Sequence, residues 1–361
     1  NAAPSVSAGA DQTLGVRSAI TVSASFSDVG VNDTPWSYSI EWGDGSTATT
    51  GTKTSQSSTI TATHPYTAAG THTVRVTVTD KDGDAGFGTL TATVFDGVTL
   101  AGAGDIARSR SGHIDAEATA ALLDGISGTV FTLGDAAYDS GTVAQYNTLY
   151  DPTWGRHKAR TYPVPGDKDY KTAGAAGYFG YFGAAAGDPT KGYYSYDLGA
   201  WHVVMLNSST TSVATPDNAQ LAWLGADLRA NTKQCVLAMW HEPRFSSSAS
   251  TPSNAVKPFW DSLYAAGTEL VVNAHARRYE RYAPQNVSGQ SDPTNGIREF
   301  IAGTGGEGLD GAGSYTSTTR EVNISNVFGV LKLTLGDGIY SWQFIPVAGQ
   351  TATDSGVGSC H

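Results

Sequence analysis

The stretches GVTLAGAGDIA, residues 97–107, and GTVFTLGDAAY, residues 128–138, decide the fold of most of this chain. Each is an apolar strand ending in Gly-Asp. Between them HIDAEATAALLDGI carries Ala and Leu at helical spacing. Strand, helix, strand is the signature of a layered α/β domain. Further strands are expected in WHVVMLNSS (201–209), CVLAMWHEP (235–243), LVVNAHA (270–276), IREFIAGTGG (297–306) and GVLKLTL (329–335). Helices are expected in NAQLAWLGADLRA (218–230) and AVKPFWDSLYAAG (255–267), and FGVLKLTLGDGIYSWQFIPV (328–347) reads as a hairpin or meander turning at GDG.

Upstream, residues 1–96 read as all-β. AITVSASFSD, YSIEWGDGS and THTVRVTVTD alternate apolar and polar residues, and Gly and Asp clusters separate them as turns. Short strands at this spacing suggest a small β-sandwich. A second domain then covers 97–361.

The 361 residues carry a net charge of −11. That balance argues against a nucleic-acid partner, which needs a basic face. No run of about 18 apolar residues crosses a membrane. The opening NAAPSVSAG reads as a mature end after processing, so a secreted, extracellular monomer is expected. Cys235 and Cys360 either form one disulfide that ties the C-terminus to the core or remain thiols; two cysteines cannot make a Cys-rich zinc site.

Asp105, Asp135, Asp167, His241 and His275 all sit just after apolar strands. In open α/β sheets ligands bind at the carboxyl ends of strands, where adjacent loops diverge. Carboxylate oxygen with imidazole nitrogen suits Zn, Mn or Fe(II).

On these residues the chain resembles two families. WGDGS (42–46), HPYTAAGTHTVRVTVTD (64–80) and DGDAG (82–86) resemble a polycystic-kidney-disease (PKD) domain, a spacer or adhesion module. AGDIA, LGDAAY, PGDKDY, MWHEPRF and NAHARRYER resemble the five ordered motifs of calcineurin-like metallophosphoesterases, nearest the purple-acid-phosphatase-like branch. The second resemblance implies a four-layer α/β/β/α sandwich. It implies that Asp135 bridges two metals, that Asp105 and Tyr138 belong to the first, and that Asp167, His241 and His275 bind the second.

Two departures change that expectation. Arg277 stands where the family has the last His ligand of the first metal, and a guanidinium has no lone pair to offer. Lys168 stands where a substrate-facing His is usual. One Zn, Mn or Fe ion per chain is therefore expected. Arg277 is expected to bind a phosphate or carboxylate through two parallel hydrogen bonds. Lys168 is expected to act as acid or base with a lowered pKa, or else to serve only as charge partner of Asp167 or Asp169. Glu242 is a further candidate, as a base or to orient a ligand. His113 lies close to the first motif loop; His64, His157 and His202 read as structural or solvent-facing. GTGGEG (303–308) and WGDGS read as tight turns.

The substrate is expected to be anionic. A secreted metallophosphoesterase-like hydrolase is the first reading. An enzyme repurposed on the same scaffold to act on an acidic polysaccharide, as lyase or hydrolase, is the second. A non-catalytic binding protein is the third, and the retained four-ligand set speaks against it.

Overall fold

A computed structural model of the chain describes residues 2–30, 32–109, 114–209, 217–248, 253–311, 313 and 316–361. His113 lies outside the described residues. The chain divides into two compact units, Asn1–Gly97 and Val98–His361.

The first unit is built from a three-stranded and a five-stranded sheet. Strand Ala19–Ser27 buries every second residue, and Ile20, Val22, Ala24 and Phe26 join Val74, Val76 and Val78 of Gly70–Thr79 in one core. This is the period of two that a half-buried strand imposes. Trp42 of WGDGS is buried, and Tyr66 donates its hydroxyl to the Trp42 carbonyl at 2.7 Å, so the motif is a packed turn. His64 stacks on Trp42 and bonds Asp44 at 2.7 Å, which gives it a structural part.

The second unit has two sheets. The first runs, edge to edge, Thr161–Val164, Thr129–Leu133, Val98–Ala103, Gly329–Leu335, Ile339–Pro346 and Asp354–Ser359. The second runs Tyr194–Leu198, Trp201–Met205, Cys235–Met239, Leu270–Asn273, Arg298–Ala302, Tyr279–Tyr282 and Arg320–Ile324. The first three strands of one sheet are mutually parallel, as are Trp201–Met205, Cys235–Met239, Leu270–Asn273 and Arg298–Ala302 of the other.

Alternation along these strands sorts side chains onto two buried faces, so the sequence reads as unbroken apolar runs. Leu100, Phe131 and Leu133 meet Trp201, Val203, Met205, Leu237, Met239 and Val272 between the sheets. Ala101, Ala103 and Val130 face the other way, against Ala116, Ala120 and Leu123 of helix Ile114–Asp124 and the aromatic residues Tyr146, Tyr150 and Tyr178. Val204, Val236, Ala238 and Val271 pack outward against Leu224, Phe259, Trp260 and Leu263 of helices Asn218–Ala230 and Lys257–Ala265. The layers are therefore helices, sheet, sheet, helices. Helix Asn218–Ala230 begins at Asp217, whose carboxylate accepts the Gln220 N–H at 2.6 Å.

Cys235 and Cys360 form a disulfide across 125 residues of sequence. It ties the last strand region to a central strand. His157 is buried against the Ala120 carbonyl, and His202 bridges Asp197 and Asp227 at 2.9 and 2.8 Å; both are structural.

Candidate metal centre

The parallel strands of both sheets end at one place. Asp105 and Asp135 follow Val98–Ala103 and Thr129–Leu133; Asp167 follows Thr161–Val164; His241 and His275 follow Cys235–Met239 and Leu270–Asn273. Asp105, Asp135 and His275 have φ of 56°, 52° and 61°, three of the five non-glycine residues with positive φ among the described residues. That conformation costs roughly 1–2 kcal/mol for a residue with a Cβ, so strain is concentrated where the candidate ligands sit. Glycine makes the approach possible. A Cβ on Gly134 would lie 2.7 Å from Gly166 Cα, and one on Gly166 would lie 2.2 Å from Asp135 Oδ1.

Among the described residues, donor atoms of Asp167, His241 and His275 form one group and those of Asp105, Asp135 and His241 form a second, the two sharing His241. His241 Nε2 lies 3.4 Å from Asp135 Oδ2, 3.3 Å from Asp167 Oδ1 and 3.2 Å from His275 Nδ1. His275 Nδ1 lies 3.3 Å from Asp167 Oδ1. Tetrahedral zinc bonds of about 2.0–2.1 Å set ligand atoms about 3.3–3.4 Å apart. Asp167 Oδ1 is buried and has no hydrogen-bond partner. His241 Nδ1–H donates to the Leu133 carbonyl at 2.6 Å, which fixes the ring and turns the Nε2 lone pair inward, as metal-binding histidines do. The set fits a divalent transition metal.

Electrostatics point the same way. Burial pushes the Asp135 carboxyl up, but the charge and hydrogen bond of His241 outweigh it and hold the pKa below the usual range. Asp167 is lowered too: burial raises it, and the facing imidazoles of His241 and His275 overcome that. Burial works against charge on His241, yet Asp135, Asp167 and Asp105 drive its pKa well above the ordinary value. The cluster thus favours a positive charge at its centre.

Asp105 stands beside this set. Its Oδ2 accepts the His275 N–H at 2.9 Å and its Oδ1 accepts the Tyr138 hydroxyl. The same hydroxyl lies 2.9 Å from Asp135 Oδ2. Burial, opposed by His241 and reinforced by Asp135, raises Asp105 to about 6. Both Asp105 oxygens are thus occupied by protein donors, and Tyr138 links the two carboxylates.

Lys168 takes the second of its two expected parts, as charge partner of Asp167, and Arg277 departs from expectation. Lys168 Nζ lies 2.5 Å from Asp167 Oδ2 and 3.6 Å from Asp135 Oδ2. Burial would lower its pKa, but Asp135 and Asp167 raise it overall, so Lys168 is a firmly held ammonium and not a lowered-pKa base. Arg277 offers no open fork. Its Nε and Nη2 donate to Asp310 Oδ1 at 3.1 and 2.9 Å, and its Nη1 donates to buried Glu307. Glu242 is turned away: its carboxylate accepts from Ser253 Oγ at 3.2 Å, and it does not line the cleft among the described residues. The cleft, about 340 Å³, is lined by Asp105, Asp135, Tyr138, Lys168, Ser248, His275, Arg277 and Asp310.

Three acidic residues have roles that sequence reasoning missed. Asp169 is fully buried; its Oδ2 accepts the N–H groups of Gly166 and Asp135 at 2.8 and 3.2 Å, and its Oδ1 accepts the Tyr146 hydroxyl at 2.7 Å. It pins the loops that carry Asp135 and Asp167. Glu307, in the GTGGEG turn, bridges Arg108 and Arg277. Asp310 completes the hold on Arg277. The second acid of PGDKDY was a signal for Asp169. Nothing in the sequence pairs Glu307 and Asp310 with an arginine some 30 residues away.

Residues 1–94 match the PKD domain family. The chain is 31% identical over 125 residues to purple acid phosphatase 18 of Arabidopsis thaliana, covering 32% of this chain and 28% of that protein. It is 28% identical over 191 residues to acid phosphatase A of Cryphonectria parasitica, covering 45% and 38%. The chain therefore spans well under half the length of these relatives. Among solved structures, the PKD domain of an M14-like peptidase from Thermoplasmatales archaeon SCGC AB-540-F20 is 25% identical, covering 26% of this chain and 92% of that one, with a TM-score of 0.21. The chain thus carries an N-terminal PKD domain and is distantly similar to purple acid phosphatases.

Proposed function

We propose that this chain is a secreted, metal-dependent phosphoesterase-like hydrolase on a metallophosphoesterase-like sandwich, with one ion held by Asp135, Asp167, His241 and His275. The mutual approach of the Asp167, His241 and His275 donor atoms at 3.2–3.3 Å, with Asp135 3.4 Å from His241, carries the reading. Similarity to the two phosphatases supports the reaction class. The Cys235–Cys360 disulfide supports an oxidising compartment. Among the described residues, no helix is long and apolar enough to cross a membrane.

When bound, a divalent ion supplies Lewis acidity toward a phosphoryl oxygen. The chain's own residues do the rest. Lys168 stays protonated at the cleft wall and offers positive charge and a proton to a departing ester oxygen. The Tyr138 hydroxyl and the His275 N–H fix Asp105, which locks the His275 loop against the strand that carries Asp105. Asp169 holds Asp135 and Gly166 in register.

The test loads the full chain with zinc, manganese or iron. It then offers p-nitrophenyl phosphate, bis(p-nitrophenyl) phosphate and acidic polysaccharides side by side. Nitrophenol release that is lost in His241→Ala is expected. Unsaturated-sugar absorbance without ester cleavage would replace this reading with the lyase, and inertness toward every substrate would replace it with a binding protein.

A further inference from the structure

Two cations, Lys168 and Arg277, line the cleft among the described residues, and each is already matched by acid. Asp310 fills the Nε–Nη2 edge of Arg277 at 3.1 and 2.9 Å and also accepts its backbone N–H at 3.1 Å. Glu307, 1% exposed, takes Nη1 and takes Arg108 on its other oxygen. Asp167 takes the Lys168 ammonium. A divalent ion at these donors would face the carboxylates of Asp135 and neighbouring Asp105, with Asp167 shared between the ion and Lys168. Asp310 itself lines the cleft, with a side chain 27% exposed. The cleft therefore has little surplus positive charge, and its rim carries a carboxylate.

We propose that Asp310 determines specificity: by reserving Arg277, it fits the cleft to a phosphoryl group bearing one negative charge, a phosphodiester, in preference to a dianionic monoester. This rests on the hydrolase reading. A monoester, with a second pKa of about 6, carries nearly two charges above neutral pH, and a diester carries one. The second charge needs a free cation, and the guanidinium edge that would supply two parallel hydrogen bonds is occupied. Hydrolysis of the diester adds water oxygen to phosphorus and breaks one P–O ester bond. Lys168 gives its proton to the leaving alkoxide and regains one from the attacking water, whose other proton goes to solvent. The product is a monoester dianion, which the Asp310 carboxylate repels from the cleft.

The experiment compares wild type, Asp310→Asn and Asp310→Ala as metal-loaded full chains at pH 8, with metal content measured in each. One arm reads kcat/KM on bis(p-nitrophenyl) phosphate and p-nitrophenyl phosphate. Wild type is expected to favour the diester by at least about 10-fold, and Asp310→Asn to shrink that preference by about 10-fold, chiefly through a lower KM for the monoester. The other arm titrates inorganic phosphate by calorimetry, where Asp310→Asn is expected to bind about 10-fold more tightly. A wild-type preference for the monoester overturns the proposal. So do an unchanged preference and unchanged phosphate affinity in both variants with metal retained. If wild type cleaves neither ester while Asp310→Asn still tightens phosphate, the hydrolase reading falls and the charge role of Asp310 stands.

Discussion

Replacing Asp169 by alanine removes the acceptor that ties the two ligand-bearing loops together. Three donors lose their partner: the Gly166 and Asp135 N–H groups and the Tyr146 hydroxyl. The site is fully buried, so water does not readily substitute. Leaving a buried donor unsatisfied costs about 1–3 kcal/mol each, which puts the loss near 3–6 kcal/mol after some relaxation. Asp169→Asn keeps the shape and one carbonyl oxygen, and about 1–3 kcal/mol is expected. The second consequence is on metal. Asp135 has a left-handed backbone held partly by this carboxylate, and loss of such an outer partner weakens metal binding by about 10–100-fold. Urea unfolding followed by tryptophan fluorescence reads the first effect, because six of the eight tryptophans lie in Val98–His361. Zinc titration against a competing chelator reads the second. An Asp169→Ala protein within about 1 kcal/mol of wild type, with unchanged zinc affinity, would refute the argument.

Cys360→Ser opens a cross-link spanning 125 residues and is expected to destabilise the second unit by up to about 5 kcal/mol, read as a lower urea midpoint. His202 has its pKa raised by the Asp227 hydrogen bond, with Asp197 adding to it and burial opposing. Its contribution is fully present below the unfolded value of about 6.5 and is lost as pH rises through the higher folded value. The thermal midpoint should therefore fall more in wild type than in His202→Gln as pH is raised from 6; parallel curves would contradict this. Lys168→Met removes the ammonium beside the cleft and is expected to lower turnover about 100-fold while metal content stays unchanged. Full activity in that variant would remove Lys168 from the reaction.

The elements that position the centre were legible because both periods are strong. Apolar runs closed by Gly-Asp or by His marked the strand exits, and helix 218–230 coincides with its apolar pattern. The short helical turns between Val143 and Ala186 were not legible, since GYFGYFGAAA has no clean period and is ordered by tertiary packing of Tyr146, Tyr178 and Phe182. The last strand, Asp354–Ser359, is glycine-rich and forms only because Ile339–Pro346 gives it a partner. At the candidate site, the carboxylates and imidazoles that come together could be picked out from local sequence. The state of Arg277 could not, because Glu307 and Asp310 are brought to it by the fold, whereas the pairing of Lys168 with adjacent Asp167 was one of its two expected parts and only the approach of Asp135 needed the fold. Glu242 adjoins His241 in sequence, yet the chain turns between them and directs its carboxylate to Ser253.

The most direct test of the centre is anomalous scattering at the metal edge from crystals of protein purified without chelator, with the metal-to-chain ratio measured on the same sample. One ion per chain is predicted, within bonding distance of Asp135, Asp167, His241 and His275. Two ions bridged by Asp135, or no ion after supplementation with zinc, manganese and iron, would contradict the account.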